Sequence, residues 1–350
     1  MQPLIEKLRA GLDLNSSEIA AVMPQLLADA TEDSIRMDFL AALHRKGETV
    51  EEITGFVQLL ADQASDPGLD EKNLPGPLID VSGTGGDKID LFNVSTTVAF
   101  ILAAGGAVVA KHGNHRVTSQ CGSADVLAEL GVPIDLGPND LKECIGRLGL
   151  CFIHARRYHP VYRIIGDARV RLGRENSRDT LSILGPLLNP ARPSRQLIGV
   201  YSPRLTGVMA EVLRRLGRER VWVVHGTTET GEGIDEISIG GATILAELAN
   251  GKVVSGVIDS RWLNIPSGPL EELRGGNARE NAAHIEGILA GEIQGPKRNL
   301  AIMNAAGGFV VGGIAHDMSE GIALAREQIE SGRALERLRG LQQFREVKSR

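Results

Sequence analysis

The chain has 350 residues, 42% of them hydrophobic and 23% charged, with a formal net charge of −6 at pH 7. That balance is typical of a globular protein with a substantial core and excludes a fibrous or intrinsically disordered chain. The acidic balance, the lack of a basic block and an aromatic content of 3% argue against a nucleic-acid partner. No apolar run reaches membrane-spanning length and the N-terminus lacks a secretory leader pattern, so the expectation is a cytoplasmic protein without membrane contact. Cys121, Cys144 and Cys151 lack metal-ligand spacing and read as reduced thiols.

In chain order, residues 1–66 read as a helical layer. Pro3 to Ala10 gives one short helix. Asn15-Ser16-Ser17-Glu18 and Thr49-Val50-Glu51-Glu52 are capping boxes. The first precedes Ile19, Val22, Leu26 and Leu27, and the second precedes Ile53, Phe56, Leu59 and Leu60. Between them, Thr31 is the expected cap of a third helix that Gly47 stops. Residues 67–77, rich in proline and glycine, read as a linker. From Leu78 onward strands and helices alternate. Strands are expected at Leu78–Val81, Ala107–Ala110, Leu150–His154, Gln196–Tyr201 and Val221–His225, with short antiparallel strands around Asn250-Gly251. Three C-terminal helices are expected: Asn277–Leu289, Arg298–Gly307 and an unbroken Met318–Phe344. The alternation predicts an α/β fold in which residues 78–350 form a mostly parallel sheet with helices on both faces.

Two strand ends in this pattern carry like loops. Gly83-Thr84-Gly85-Gly86-Asp87 follows the first strand, and Asn93-Val94-Ser95-Thr96 then starts a helix. Lys111-His112-Gly113-Asn114 ends the second strand, and the polar loop from Arg116 through Ser119 to Ser123 leads into another helix. In open α/β sheets ligands bind beyond the carboxyl ends of strands. Glycines bring bare N–H groups close to a ligand, helix starts favour anions, and Lys111 adds a point charge suited to phosphate. The loops are neither a Walker loop nor a dinucleotide fingerprint. A carboxylate at Asp87 would repel a polyphosphate unless it orients the loop, binds a ribose hydroxyl or acts through a metal. Lys111 and Asp87 are the candidate catalytic residues. About 110 residues on, adjacent Asp235 and Glu236 lie in a glycine-rich loop and are suited to a hard cation such as Mg2+.

At these residues the chain resembles anthranilate phosphoribosyltransferases. The matching pieces are Gly83–Asp87, Asn93–Thr96, Lys111–Asn114, Gly122–Asp125, His159-Pro160, Leu184–Pro190 and Asp235-Glu236, and the resemblance runs in order over essentially the whole chain. It implies transfer of a phosphoribosyl group from 5-phosphoribosyl 1-diphosphate to the amine of anthranilate, as a step of tryptophan biosynthesis. It also implies a small helical domain plus a large α/β domain, as in nucleoside phosphorylase-like transferases, small-molecule substrates and a homodimer. On matching positions the phosphoribosyl donor would meet Gly83, Gly86, Asp87, Leu91, Asn93, Val94, Ser95, Thr96, Lys111, His112, Gly113, Asn114, Ser119 and Ser123. Anthranilate would meet Gly83, Asn114 and Arg169, and Mg2+, two ions per subunit, would sit at Ser95, Asp235 and Glu236. A surface position on its helix is the plainer alternative for Arg169, because Arg171 and Arg174 are its neighbours.

The chain departs from the family pattern on the acceptor side. His115 replaces an arginine, Leu91 replaces a threonine, and Arg178-Asp179-Thr180-Leu181-Ser182 replaces Arg-Thr-Ile-Phe-Asn in a longer segment. The alternatives are a paralogue using another aromatic acceptor, or a non-catalytic relative that binds nucleic acid.

Overall fold

A computed structural model describes residues 1–85, 89–115, 120–172 and 179–344. The expected helical layer is present as α1 (Gln2–Arg9), α2 (Ser16–Leu27), α3 (Asp33–Lys46) and α4 (Val50–Ala61). Both capping boxes close. Asn15 Oδ1 accepts the Glu18 N–H at 3.0 Å, and the Glu18 carboxylate accepts the Asn15 N–H at 2.8 Å. Thr49 and Glu52 exchange the same pair of bonds. These fix the helical phase, so Ile19, Val22 and Leu26 face inward together with Ile53, Phe56 and Leu60. Thr31 does not cap α3: its hydroxyl donates back to the Gln25 carbonyl at 2.5 Å, closing the turn after α2, and Glu32 takes the N-cap position without a side-chain bond.

The sheet elements follow in order: β1 (Leu78–Gly83), α5 (Val94–Ala104), β2 (Val108–Gly113), α6 (Ser123–Glu129), α7 (Pro138–Leu148), β3 (Leu150–His154), α8 (Ala155–Tyr158), α9 (Pro160–Arg171), α10 (Thr180–Leu184), β4 (Arg195–Gly199), α11 (Arg204–Arg215), β5 (Arg220–Thr227), β6 (Gly233–Ile234), β7 (Ala242–Ala249) and β8 (Lys252–Asp259). The strand order is β3-β2-β1-β4-β5-β7-β8, with the short β6 against β5. The first five strands in that order pair in parallel, while β5–β7 and β7–β8 are antiparallel. The β7–β8 hairpin turns at Asn250-Gly251, both at positive φ (52° and 73°), which the right-handed strand twist requires of a two-residue turn. From β1 the chain first builds outward to β2 and β3, then crosses back to β4. A topological switch point therefore lies beside β1, with the carboxyl ends of β1, β2 and β4 together.

Four helices complete the chain: α12 (Ala278–Leu289), α13 (Pro296–Gly312), α14 (Met318–Glu330) and α15 (Arg333–Gln342). The single helix expected from Met318 to Phe344 is thus two, broken at Ser331-Gly332, where Gly332 sits at φ 78°. Helix α13 runs five residues past its expected end at Gly307 because it is buried on all sides and needs no polar face. One apolar core lies between the sheet, α5 and α12–α15. A second joins the N-terminal helices to α9–α11 and to β4 and β5. The helical layer therefore packs through shared core residues such as Phe39, Ile165 and Ile183, all buried.

Candidate active site

The carboxyl ends of β1 and β2 open into a cavity of about 260 Å³. Into it converge Gly83 from β1, Leu91 and Asn93–Thr96 from the start of α5, Lys111–Asn114 from β2, Ser123 from α6, Arg169 from α9, and Asp235 and Glu236 from the loop after β6. Gly86, Asp87 and Ser119 lie outside the described residues, as does the 174–178 loop.

β1 and β2 end on glycine where they meet this cavity, and β4 ends on Gly199, paired with Gly83 beside it. A Cβ on Gly199 would fall 1.5 Å from the Asp235 carbonyl oxygen, and one on Gly83 would fall 2.5 Å from Asp235 Oδ2. A Cβ on Gly113 would fall 2.0 Å from Ser123 Oγ. The backbone of the acidic loop thus rests directly on the ends of β1 and β4. Its grip is completed by Asp235 Oδ2, which accepts the Gly85 N–H at 2.7 Å. This bond joins two sequence clusters 150 residues apart.

Lys111 is buried, and its Nζ donates to the Val81 carbonyl at 2.8 Å and to Ser95 Oγ at 3.0 Å. Burial lowers its pKa to about 8, against the pull of the Asp80 and Glu236 carboxylates. Asp80, within β1, is pushed up to about 6 by the same burial, with Lys111 opposing. It accepts the His112 N–H at 3.2 Å and the Asn189 side-chain amide at 2.9 Å. Asn189 also donates to the Ala110 carbonyl at 2.8 Å, so it ties the Leu184–Pro190 turn to both central strands. Lys111 thus reaches the cavity on a short tether, with its charge destabilised until an anion arrives.

Next to it, His112, His159 and Tyr162 pack ring on ring at 5.7–5.9 Å. Burial holds His112 well below the usual histidine range and brings His159 to about 4, so both are neutral at pH 7. His159 donates through Nε2 to the Leu188 carbonyl, which seats α9 against the rigid turn. His112 Nε2, the Tyr162 hydroxyl and Ser182 Oγ are buried with no hydrogen-bond partner among the described residues, and all three residues line the cavity. Such orphan polar atoms are costly unless a ligand meets them.

Arg169 is not a surface arginine: only 4% of it is exposed, and it lines the cavity. Arg171, by contrast, is exposed and pairs with Asp33 of α3 at 2.5 Å. Arg169 Nε and Nη2 donate to the Asp179 carboxylate at 3.0 and 2.5 Å. His115 bonds through Nδ1 to Asp125 Oδ1 at 2.6 Å, while Asp125 also accepts the Gly122 N–H that caps α6. Cys121 lines the cavity, but burial pushes its thiol up to about 12, so it is no nucleophile at neutral pH.

Ser95, Asp235 and Glu236 share the cavity and offer hydroxyl and carboxylate oxygens, the donor set a hard cation takes. Among the described residues no group of three or more His, Cys, Asp or Glu is placed to hold a metal by itself. An ion there would draw its remaining ligands from water and from a bound substrate, which is the habit of Mg2+ at phosphate sites.

Sequence reasoning missed Gly199, Asp80 and Tyr162 as parts of this site, and gave no role to Asn189 or Asp179. The Asn-Pro pair of the rigid turn was a visible signal. The others acquire a role only through partners distant in sequence.

Residues 2–64 match a family described as glycosyl transferase family, helical bundle domain, and residues 75–335 match the glycosyl transferase family, a/b domain. The class is therefore a glycosyl transferase assembled from a helical bundle and an α/β domain. Over 97% of both chains, the sequence is 44% identical to the anthranilate phosphoribosyltransferase of Alkaliphilus metalliredigens. It is 42% identical to that of Pelotomaculum thermopropionicum, over 97% of this chain and 95% of that one. The solved anthranilate phosphoribosyltransferase of Thermus thermophilus superposes with a TM-score of 0.84 at 36% identity, covering 97% and 98% of the two chains. That of Saccharomyces cerevisiae, solved in complex with PRPP and Mg, superposes with a TM-score of 0.81 at 24% identity, covering 97% and 96%. The chain belongs to the anthranilate phosphoribosyltransferase family.

Proposed function

We propose that the protein transfers the phosphoribosyl group of 5-phosphoribosyl 1-diphosphate to the amine of anthranilate, a step of tryptophan biosynthesis. The C1–N bond forms as the C1–O bond to diphosphate breaks, and the amine gives up one proton. The observation that carries this reading is the convergence, in one cavity, of an anion cradle, a pair of carboxylates and a buried arginine.

The donor occupies the strand ends. The N–H groups of the 83–85 turn and of the α5 start, with Ser95, Thr96, Ser123 and Lys111, receive its phosphates and ribose, and Gly86, Asp87 and Ser119 belong to the same set by family position. Departing diphosphate leaves an oxocarbenium-like carbon, so the main task is to stabilise an anion. Lys111 does this electrostatically, and anion binding relieves the cost of its own burial. Ser95, Asp235 and Glu236 would hold Mg2+, whose charge also favours diphosphate departure when bound. Two ions per subunit, a homodimer and a cytoplasmic location complete the reading. The yeast enzyme of the same fold, crystallised with PRPP and Mg, supports the metal. The division at 1–66, 67–77 and 78–350 belongs to the proposal, with the helical part backing the acceptor side through α9 and α10.

Anthranilate's amine is neutral at pH 7, so no strong base is demanded and positioning supplies much of the rest. Arg169 fixes the substrate carboxylate through its planar fork, with Gly83 and Asn114 beside it. The test is loss of anthranilate fluorescence in the presence of 5-phosphoribosyl 1-diphosphate and Mg2+. Unchanged fluorescence alongside diphosphate release to another aromatic amine would move the reading to that acceptor. Arg169→Ala is expected to raise the anthranilate KM by about tenfold or more, the worth of a charge-assisted pair, and to leave the donor KM nearly unchanged. Equal effects on both would remove Arg169 from its role.

A further inference from the structure

We propose that Asp179 is a positioning residue for the acceptor: it grips one edge of the Arg169 guanidinium from behind and turns the other edge to the substrate carboxylate. The inference rests on the acceptor reading above and deepens it.

Arg169 and Asp179 are 4% and 1% exposed, so both charges are removed from water. A lone buried arginine would be costly, and the pair satisfies both partners. The geometry is side-on: Asp179 Oδ2 accepts Nε–H and Oδ1 accepts Nη2–H. A guanidinium has five N–H donors in a fixed plane. Two are held by Asp179, and Nη1 has no hydrogen bond to a described residue although Arg169 lines the cavity. Asp179 is not among the lining residues. Its hold therefore comes from the side away from the ligand and leaves a free planar edge for a second carboxylate.

The grip is itself anchored. Asp179 Oδ1 also accepts the Leu181 N–H at 2.9 Å, capping α10. The neighbouring Thr180 donates from Oγ1 to Glu48 Oε1 at 2.7 Å, in the turn after α3. The arginine's plane is thus referred to two helices of the scaffold rather than left to a flexible side chain. Holding a planar fork in its bound orientation removes most of the ordering cost when the substrate arrives.

Two variants separate positioning from capping. Asp179→Asn keeps Oδ1 as the α10 cap but replaces Oδ2 by an amide that cannot accept from Nε. Asp179→Ala removes both. In the anthranilate fluorescence assay, each is expected to raise the anthranilate KM by about tenfold, with the donor KM within about twofold; both lose the buried counter-charge and melt below wild type, and the asparagine variant, which keeps the α10 cap, should melt above the alanine variant. Adding Asp179→Asn to Arg169→Ala should do no further harm, since Asp179 acts through that side chain. An asparagine variant with wild-type anthranilate KM, a parallel rise in both KM values, or additive effects in the double variant would overturn the proposal. A fall in the anthranilate KM would overturn it too, because Asp179 would then merely offset the arginine's charge. If the wild-type protein leaves anthranilate fluorescence unchanged, the acceptor reading itself fails and this inference with it.

Discussion

The contact between Gly199 and Asp235 gives the sharpest prediction. In Gly199→Ala the new Cβ would lie 1.5 Å from the Asp235 carbonyl oxygen and 2.3 Å from its carbonyl carbon. Both are main-chain atoms, so no rotamer relieves the clash. Restoring an ordinary contact displaces the acidic loop by roughly 2 Å, four times the roughly 0.5 Å within which a site must hold its groups. That displacement breaks the 2.7 Å bond from the Gly85 N–H to Asp235 Oδ2 and carries Glu236 with it. Misplacement by about 1 Å costs on the order of 100-fold in rate, so a loss of at least about 100-fold in kcat/KM is expected, together with a raised Mg2+ requirement and about 1–3 kcal/mol of overpacking destabilisation. The control is Gly207→Ala in α11, where a Cβ meets nothing within 4 Å. It should leave turnover intact and gain up to about 1 kcal/mol from helix propensity. Steady-state rates titrated with Mg2+, paired with thermal melts, read both variants. A Gly199→Ala enzyme within about threefold of wild type would refute the claim that this glycine sets the carboxylates, since the expected loss is about 100-fold.

Four further outcomes follow from the same geometry. Lys111 is held at about 8, so the free enzyme loses this cation as pH rises through that value, and kcat/KM for the phosphoribosyl donor should fall above about pH 8; a flat profile to pH 9.5, well above that limb, would contradict its charged role. The same depressed value means that the unfolded chain, with a pKa of 10.5, binds more protons between about 8 and 10.5, so this group's contribution to stability rises with pH across that window. Asn189→Ala strands the Asp80 carboxylate and the Ala110 carbonyl, both buried, and should cost about 2–4 kcal/mol in urea unfolding; a loss below about 0.5 kcal/mol, the range of an ordinary surface change, would remove Asn189 from the network. Replacing Asp235 and Glu236 together by Ala should abolish Mg2+-dependent turnover, and unchanged rates at low Mg2+ would place the ion elsewhere.

How much of this was readable in the chain varied with the range of the interaction. Both capping boxes and the Asn250-Gly251 hairpin were legible because each is a local device whose partners lie within three residues. The strand ends of the cavity were legible because a tight turn after a strand calls for glycine and a helix start for small polar side chains, both local demands. Arg169 was ambiguous because it shares α9 with the exposed Arg171, and only packing against α10 decides which arginine is buried. Asp179 appeared in the sequence only as a departure from a pattern, since its partner lies ten residues back in α9. The break between α14 and α15 had a signal, Ser331-Gly332, outweighed by an apolar periodicity that continues through it. Gly199 had none beyond its position, because the end of a strand is an ordinary place for glycine until the backbone of Asp235 is laid across it.

The cavity has two builders. The wall proposed to receive the donor is made by strand ends, where register is fixed by backbone ladders and one-residue slips are forbidden. A second wall is made by α9 and α10, which lean on the N-terminal helices through apolar side chains and the Thr180 hydroxyl rather than through a backbone ladder. Substitutions in that helical wall can reshape the cavity without disturbing the register of the strand ends. The fold thus separates a half fixed by ladders from an adjustable half; Asp179 and Ser182, two unusual residues of this chain, fall in the adjustable one, while Leu91 and His115 lie on the strand side.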